Sequence, residues 1–595
     1  MKSTHQILLT VLVFSTFVVF VQSANGYYVS RSADDRVIVT PDASQNLTWW
    51  QKAVFYQIYP RSFKDSDGDG VGDIRGIISK LDYLVDLGID CVWLSPVCRS
   101  PMKDFGYDCS DAGDIDPIFG DLGDFKDLVQ AVHDKGLKLI VDFVPGYTSD
   151  QHVWFQKSVR REGKYTDFYV WDDGRLLDNG TRTPPNNWLS IFGGSAWQWN
   201  DQRQQFYYHV FIKEAPELNH RNSYVEWELK SLLRFWLDLG VDGFRADAIT
   251  AILTAANRSL NEPLSGKDVP PFQEDYLDHI YTLNQPEIAP ILKGWYDILA
   301  EYTNKDGLER YMVLETYATH EIRNALYAQG AGNPFNFDFI DMNRPPTSRE
   351  IFQTVMAEYG NLTQGKWPNF VLGNHDNPRV SARNGARYVD VYNMLVLTLW
   401  GTPTTYYGEE LGMLQANITW EETVDPWGLN FGPNRYTEFS RDPERTPMQW
   451  TNDTTAGFTT GNSTWLPLAE NYTLLNVQTE SDSSRQSSLQ LYKQLTTLRK
   501  NPVFLQGVFE EATVDSNIVS YIRHLGAEKF LVVLNFGQQT TVDMTSFGGL
   551  MAQAVVTSPG VKEVKVGQQV DLSRVNLDAG NGIIFQVSPD AVIVG

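Results

Sequence analysis

The sequence predicts an α/β fold: a (β/α)8 TIM barrel with an inserted loop-rich subdomain after strand 3 and a C-terminal all-β domain. Three observations predict it. A unit of amphipathic helix, glycine and short apolar strand recurs along the chain, several of those strands end in an ionisable residue, and beyond about position 502 helical periodicity gives way to alternating apolar runs. Strands that alternate with helices build a parallel sheet, and about eight of them over roughly 430 residues fit a closed barrel.

The clearest unit lies at 229–248. Residues 229–239 have helical apolar spacing, Gly240 stands where a helix C-cap is expected, and the strand that follows ends on Arg245 and Asp247. A charge pair at the end of a buried strand is costly unless it faces a cavity and has a task there. Taken in order, 53–60 reads as the first strand. The helix at 77–87 is closed by Gly88 and followed by a strand at 90–96; the helix at 125–134 is closed by Gly136 and followed by a strand at 137–145. Later strand candidates are 311–315, 335–339, 369–373 and 404–407. The stretch 146–221, rich in Trp, Asn, Gly, Asp and Gln with weak periodicity, reads as an inserted subdomain, and 424–464 is a second loop-rich stretch. The last clear helix is 487–500. The domain reading is therefore barrel at 25–145 and 222–501, insertion at 146–221, and β domain at 502–595.

At 595 residues the chain is too long for one ordinary core. Hydrophobic content of 42% and 17 tryptophans exclude a mainly disordered chain, and most of those aromatics are expected in the core. A formal net charge of −24 argues against nucleic acid or an anionic membrane as a partner. Lys2, an apolar run at 7–21 and small residues near Ala24 read as a signal peptide at 1–24, with an uncleaved signal anchor as the alternative. Glycosylation sequons at Asn46, Asn179, Asn257, Asn361, Asn417, Asn452, Asn462 and Asn471 agree with an exported glycoprotein, and no apolar tail follows Ser588. Three cysteines, Cys91, Cys98 and Cys109, leave one thiol free or intermolecular, and no spacing among them suggests zinc. Nothing in the sequence speaks to oligomeric state.

Asp142, Asp247, Glu315 and the pair His375-Asp376 all fall at strand ends. In a (β/α)8 barrel they converge on one mouth, however distant in sequence. One such carboxylate would pass for a helix cap; several acids with Arg245 and His375 do not. A second candidate is the loop Asp65-Ser-Asp67-Gly-Asp69-Gly-Val71-Gly-Asp73. It sets carboxylates at positions 1, 3, 5 and 9 and a carbonyl at Val71, the ligand spacing of a calcium loop, but position 12 is Gly76 instead of Glu. The alternative there is a solvated acidic turn.

In order along the chain, Asp142-Phe-Val-Pro, Gly243-Phe-Arg-Ala-Asp247, Val313-Leu-Glu315 and Leu372-Gly-Asn-His-Asp376 resemble the four signature regions of the α-amylase superfamily (glycoside hydrolase family 13). Residues 56–63, 104–108 and 441–450 resemble its α-glucosidase branch, insect maltases in particular, and the likeness runs from about Trp49 onward. The resemblance implies a retaining glycosidase with Asp247 as nucleophile, Glu315 as general acid and base, and Asp376 gripping sugar hydroxyls with His375. It also implies that Arg245 keeps Asp247 ionised, that Tyr107 stacks under the terminal glucose, and that Asp104 and Arg441 bind that glucose's far end. Ala248 resembles members that prefer α-1,4 bonds. Structural Ca2+ at the acidic loop, no organic cofactor, and small α-glucoside sugars as partners follow from the same likeness. Two positions depart from the family: Gly146-Tyr147 replaces the usual Asn-His, so Tyr147 takes the place of a glucose-binding His, and Ala215-Pro-Glu217-Leu-Asn219 replaces Gln-Pro-Asp-Leu-Asn. The expectation is a secreted exo-α-glucosidase acting on maltose or sucrose. The alternatives are a weakly active paralogue serving as a surface receptor, for a bacterial toxin for example, and a transglucosylase or sucrose isomerase.

Overall fold

A computed structural model of the chain describes residues 27–588 apart from 33–35, 331, 343 and 364. The proposed signal peptide at 1–24 lies outside the described residues.

Eight parallel strands form the barrel: β1 (Phe55–Ile58), β2 (Cys91–Leu94), β3 (Lys138–Phe143), β4 (Gly243–Ala246), β5 (Tyr311–Leu314), β6 (Asn333–Pro334), β7 (Asn369–Val371) and β8 (Thr402–Tyr406). Their ladder runs β6-β5-β4-β3-β2-β1-β8-β7. Between β6 and β7 a side chain does the work of the ladder: the Asn369 carboxamide donates to the Pro334 carbonyl at 2.9 Å and accepts the Asn336 N–H at 2.8 Å. Register places the chemistry. Asp142 pairs with Arg245, and Arg245 with Val313, so Asp247 and Glu315 emerge at one level from adjacent strands.

The helix–glycine–strand units are present. Helix Leu81–Leu87 ends on Gly88 at φ 80°, and helix Ser223–Asp238 is followed by Gly240 at φ 101°, a left-handed conformation in which a Cβ is strained. The helix face so aligned buries Val225, Leu229, Leu233 and Trp236. Residues 335–339, expected as a strand, are not one. Only Asn333–Pro334 pairs, and Phe335 and Phe337 instead fold inward against Trp93 and Val371. A buried turn carries the same apolar pattern as a strand, which is the physical reason for the difference.

The segment 146–221 builds a three-stranded antiparallel sheet from Trp171–Asp172, Trp197–Asn200 and Gln205–Tyr208. Its core is aromatic, with Trp188, Trp197 and Tyr208 in mutual contact. One boundary needs correction. The N-terminal stretch from 25, assigned to the barrel, instead forms a hairpin, Tyr27–Arg31 with Val37–Pro41, that adds to the edge of the C-terminal sheet through Val39↔Phe509 and Ile38↔Glu510. Val39 is fully buried, and Arg36 pairs with Glu510 at 2.8 Å. Burial of alternate side chains and a paired edge both favour this over a loose leader.

Cys98 and Cys109 form a disulfide in the loop after β2, and Cys91 is a buried free thiol on β2. Among the described residues no helix is long and apolar enough to cross a membrane.

Candidate active site

At the C-terminal ends of β3, β4 and β5, Arg245 sits fully buried among three carboxylates. Its Nη1 donates to Asp247 Oδ1 at 2.6 Å and reaches Asp142 Oδ2 at 3.2 Å; its Nη2 lies 2.6 Å from Glu315 Oε1. Three acids around one guanidinium cannot all ionise cheaply in so dry a place. Burial pushes Glu315 up to about 8 against the pull of Arg245, with the charges of Asp247 and Asp376 adding to the rise. Burial likewise raises Asp142 to about 6. Burial raises Asp247 as well, against the pull of Arg245, and its two oxygens accept Arg245 Nη1 at 2.6 Å and the Tyr147 hydroxyl at 3.0 Å, both of which favour its charged form. The arrangement sets a proton-holding acid, Glu315, beside a carboxylate with a donor on each oxygen.

Asp376 differs from these. Its side chain is 24% exposed, and its Oδ1 takes Arg445 Nη2 at 2.8 Å and Arg441 Nη1 at 3.1 Å. Burial pushes its carboxyl up, but His375, Arg441 and Arg445 hold it well below the usual carboxylate range. Because burial keeps His375 itself neutral, the two guanidiniums carry that effect. With Gln57 donating to His375 Nδ1 at 2.8 Å, the ring proton resides on Nε2, which lies 3.3 Å from Asp376 Oδ2 but makes no hydrogen bond among the described residues. A buried donor of this kind costs free energy unless a ligand hydroxyl meets it. Tyr59, whose hydroxyl is equally unpartnered, stacks on the imidazole at 5.7 Å.

Glu315 is aimed by backbone. Ala248, a non-glycine residue at φ 46°, directs its N–H to Glu315 Oε2 at 2.8 Å. Such strain persists only where the surroundings over-determine it.

The remaining sequence-derived residues fall into place as follows. Tyr107 stacks on His375 at 5.1 Å with rings 4° from parallel, and its hydroxyl donates to Asp142 Oδ2 at 2.7 Å. Asp104 and Arg441 meet directly, Oδ1 to Nη2 at 2.7 Å, forming one wall. Tyr147 reaches Asp247, as above. Two residues of that wall were not singled out from the sequence. Asp425, fully buried, grips Arg441 through Nη2 at 2.6 Å and Nε at 3.0 Å; it comes from the patternless 424–464 stretch. Arg445 lies inside the 441–450 motif, four residues after Arg441, and that spacing was the available signal. Tyr317, 45% exposed two residues beyond Glu315, is pinned by the Asn374 and Asn377 amides at 3.0 and 2.8 Å.

In the acidic loop, Asp65, Asp67 and Asp73 each offer a carboxylate oxygen within 4.8 Å of the others. Asp65 also accepts the N–H groups of Asp67, Gly68 and Gly70, and Asp73 that of Gly76. Hard oxygen donors so gathered fit Ca2+ or Mg2+. Asp69 is outside that group, and burial together with the charges of Asp67, Asp65 and Asp73 raises its carboxyl.

A barrel whose strand ends gather Asp142, Asp247 and Glu315 around one buried Arg245 fits the class of glycoside hydrolases. The alpha amylase catalytic-domain model matches residues 57–507, and the chain belongs to this family, in its α-glucosidase branch. The chain is 44% identical to maltase 1 of Drosophila virilis over 92% of this chain and 88% of that protein. It is 44% identical to a salivary alpha-glucosidase of Aedes aegypti (91% and 95% covered) and 40% identical to an amino acid transporter heavy chain of Homo sapiens (91% and 78%). Among solved structures, an alpha-glucosyl transfer enzyme superposes with a TM-score of 0.80 at 34% identity, covering 91% of this chain and all of that one.

The raised Glu315 carboxyl gives the sign of a pH dependence. If Glu315 is the proton donor to the substrate, kcat/KM on an α-glucoside should fall as pH rises through about 8, and Glu315→Gln should abolish that limb along with most of the rate. A wild-type profile flat to pH 10 would count against Glu315 as the acid.

Proposed function

We propose that this enzyme is a secreted, retaining exo-α-glucosidase that removes glucose from the non-reducing end of short α-1,4-glucosides such as maltose, with sucrose as a further substrate. The observation that carries the reading is Arg245 bridging Asp247 and Glu315, beside a Glu315 carboxyl that burial raises to about 8 and that so holds a proton at neutral pH. A shared guanidinium favours the close spacing of a retaining pair over the gap of about 6.5–9.5 Å that an inverting pair needs for its water. Asp247 attacks the anomeric carbon while Glu315 protonates the departing oxygen. Glu315 then takes a proton from the water that displaces Asp247. Asp376 and His375 present an acceptor and a donor to sugar hydroxyls, and the Asp104–Arg441–Asp425 wall closes the far end, which makes the action exo. Export is supported by the leader-like sequence at 1–24 and by the salivary relative.

The test follows maltotriose digestion by proton NMR. Glucose and maltose should be the first products, with the glucose appearing as the α anomer before mutarotation. First-formed β-glucose would refute retention, and release of larger fragments from longer chains would refute exo action.

Glucosyl transfer to a sugar acceptor is a second reading, favoured by the likeness to an alpha-glucosyl transfer enzyme and by the exposed Tyr317 ring beside Glu315. The first half-reaction is shared, so the ratio of oligosaccharide to glucose at high sucrose decides between them. A binding-only role is less well supported, because every carboxylate the chemistry needs is in place.

The acidic loop is proposed to hold Ca2+ in a structural role through Asp65, Asp67 and Asp73, with Asp69 and the Val71 carbonyl as the further donors named by the spacing. Binding to the folded state alone raises stability by mass action. EDTA should therefore lower the melting temperature by several degrees and added Ca2+ restore it, while kcat at 25 °C stays unchanged. An unmoved melting curve would identify the loop as a plain acidic turn.

A further inference from the structure

Tyr147 stands where the family resemblance calls for a glucose-binding His, yet its hydroxyl lies on the nucleophile, 3.0 Å from Asp247 Oδ2. The placement is built in. The ring is 4% exposed and meets Phe211 edge-on at 5.3 Å. Tyr147 bridges Glu217 through backbone, and the Leu218 N–H donates to the Gly146 carbonyl at 2.8 Å. At Gly146 a Cβ would stand 3.4 Å from Glu217 Oε2 and 3.5 Å from Ile252, ordinary contact distances that put the buried Glu217 directly against this residue. The two departures from the family pattern are thus neighbours, and beside them a phenol is held against Asp247. Each oxygen of Asp247 then has its own donor, Arg245 on Oδ1 and Tyr147 on Oδ2.

We propose that Tyr147 is a positioning residue that assists the departure of Asp247 from the sugar, and is not a sugar-binding residue; this rests on the retaining-glucosidase reading. In the first step a bond forms between a carboxylate oxygen and the anomeric carbon, the glycosidic bond breaks with its electron pair going to the leaving oxygen, and that oxygen takes the Glu315 proton. The negative charge on Asp247 disappears as this happens. In the second step water gives a proton to Glu315 as its oxygen bonds the anomeric carbon, and the electron pair of the Asp247 ester returns to the carboxylate. A hydrogen bond to a charged acceptor is about twice as strong as one to a neutral acceptor. The Tyr147 donor thus opposes the first step and favours the second. Burial and the neighbouring Asp247 charge keep the phenol protonated throughout.

The test is rapid mixing of wild type and Tyr147→Phe with p-nitrophenyl α-glucoside. In Tyr147→Phe, kcat should fall about ten-fold, the effect of one charge-assisted hydrogen bond, and KM should fall at least as far, leaving kcat/KM unchanged or raised because the donor no longer opposes the first step. A burst of p-nitrophenol equal to the enzyme concentration should appear that wild type lacks. A matching fall in kcat/KM with no burst would overturn the proposal and return Tyr147 to sugar binding; kinetics identical to wild type would overturn it too. Should Tyr147→Phe fail to fold, Tyr147→Leu, which has no donor for Oδ2, must show the same split. Asp247→Asn run alongside separates the two ideas. Activity surviving there defeats the glucosidase reading itself, whereas its loss with no split in Tyr147→Phe defeats only this inference.

Discussion

Replacing Asp247 by Asn should cut kcat/KM on maltose and on p-nitrophenyl α-glucoside by about 10⁴-fold or more, the scale on which removal of a covalent nucleophile acts. The amide keeps the size of the side chain but has no charge with which to attack. Folding is protected, because Arg245 still has Asp142 and Glu315 as partners. A melting temperature near that of wild type, measured alongside, confirms that the loss is chemical. Undiminished glucose release from Asp247→Asn would sink the enzyme reading of this carboxylate.

The second large effect falls on stability. Arg245→Met leaves Asp142, Asp247 and Glu315 facing one another without their buried cation, and breaking such a cluster from one side costs about 3–5 kcal/mol. The variant should lose activity and unfold at markedly lower urea. Its carboxyls, pushed up by burial and by one another, bind protons more readily in the folded than in the unfolded chain. Its stability should therefore recover as pH falls and worsen as pH rises. Arg245→Lys should regain part of the loss, since an ammonium supplies the charge but cannot span two carboxyls at once. An unfolding midpoint equal to wild type in Arg245→Met would show that the cluster is not held by this charge.

How much of this could be read from residues alone depended on how local the signal was. The ends of β3, β4 and β5 were legible because a helix, a glycine and an apolar strand repeat with fixed grammar, and the ionisable residue follows at once. β6 was not, since Phe335 and Phe337 carry an apolar pattern that serves a buried turn as well as a strand. Asp425 was invisible for a different reason. It comes from a stretch without periodicity, and its importance appears only when Arg441 is seen lying across it. Tyr147 was found, but its target was not: whether a phenol points at a sugar or at Asp247 depends on how the chain at 147 packs against Glu217 and Phe211, which no spacing rule encodes. Longest in range was the pairing of the N-terminal hairpin with the C-terminal sheet. The Val37 N–H donates to Glu511, 474 positions away, and alternation within five residues says nothing of such a partner.

That hairpin sets a timetable for biosynthesis. Its edge partner, Val508–Val514, leaves the ribosome only after every strand of the barrel. At about 5–20 residues per second the interval between them is tens of seconds. For that time two early strands wait while the entire barrel is made and closes. Only then can Val37–Pro41 be locked to Val508–Val514, so the later-made domain acts as the seal on an earlier-made hairpin.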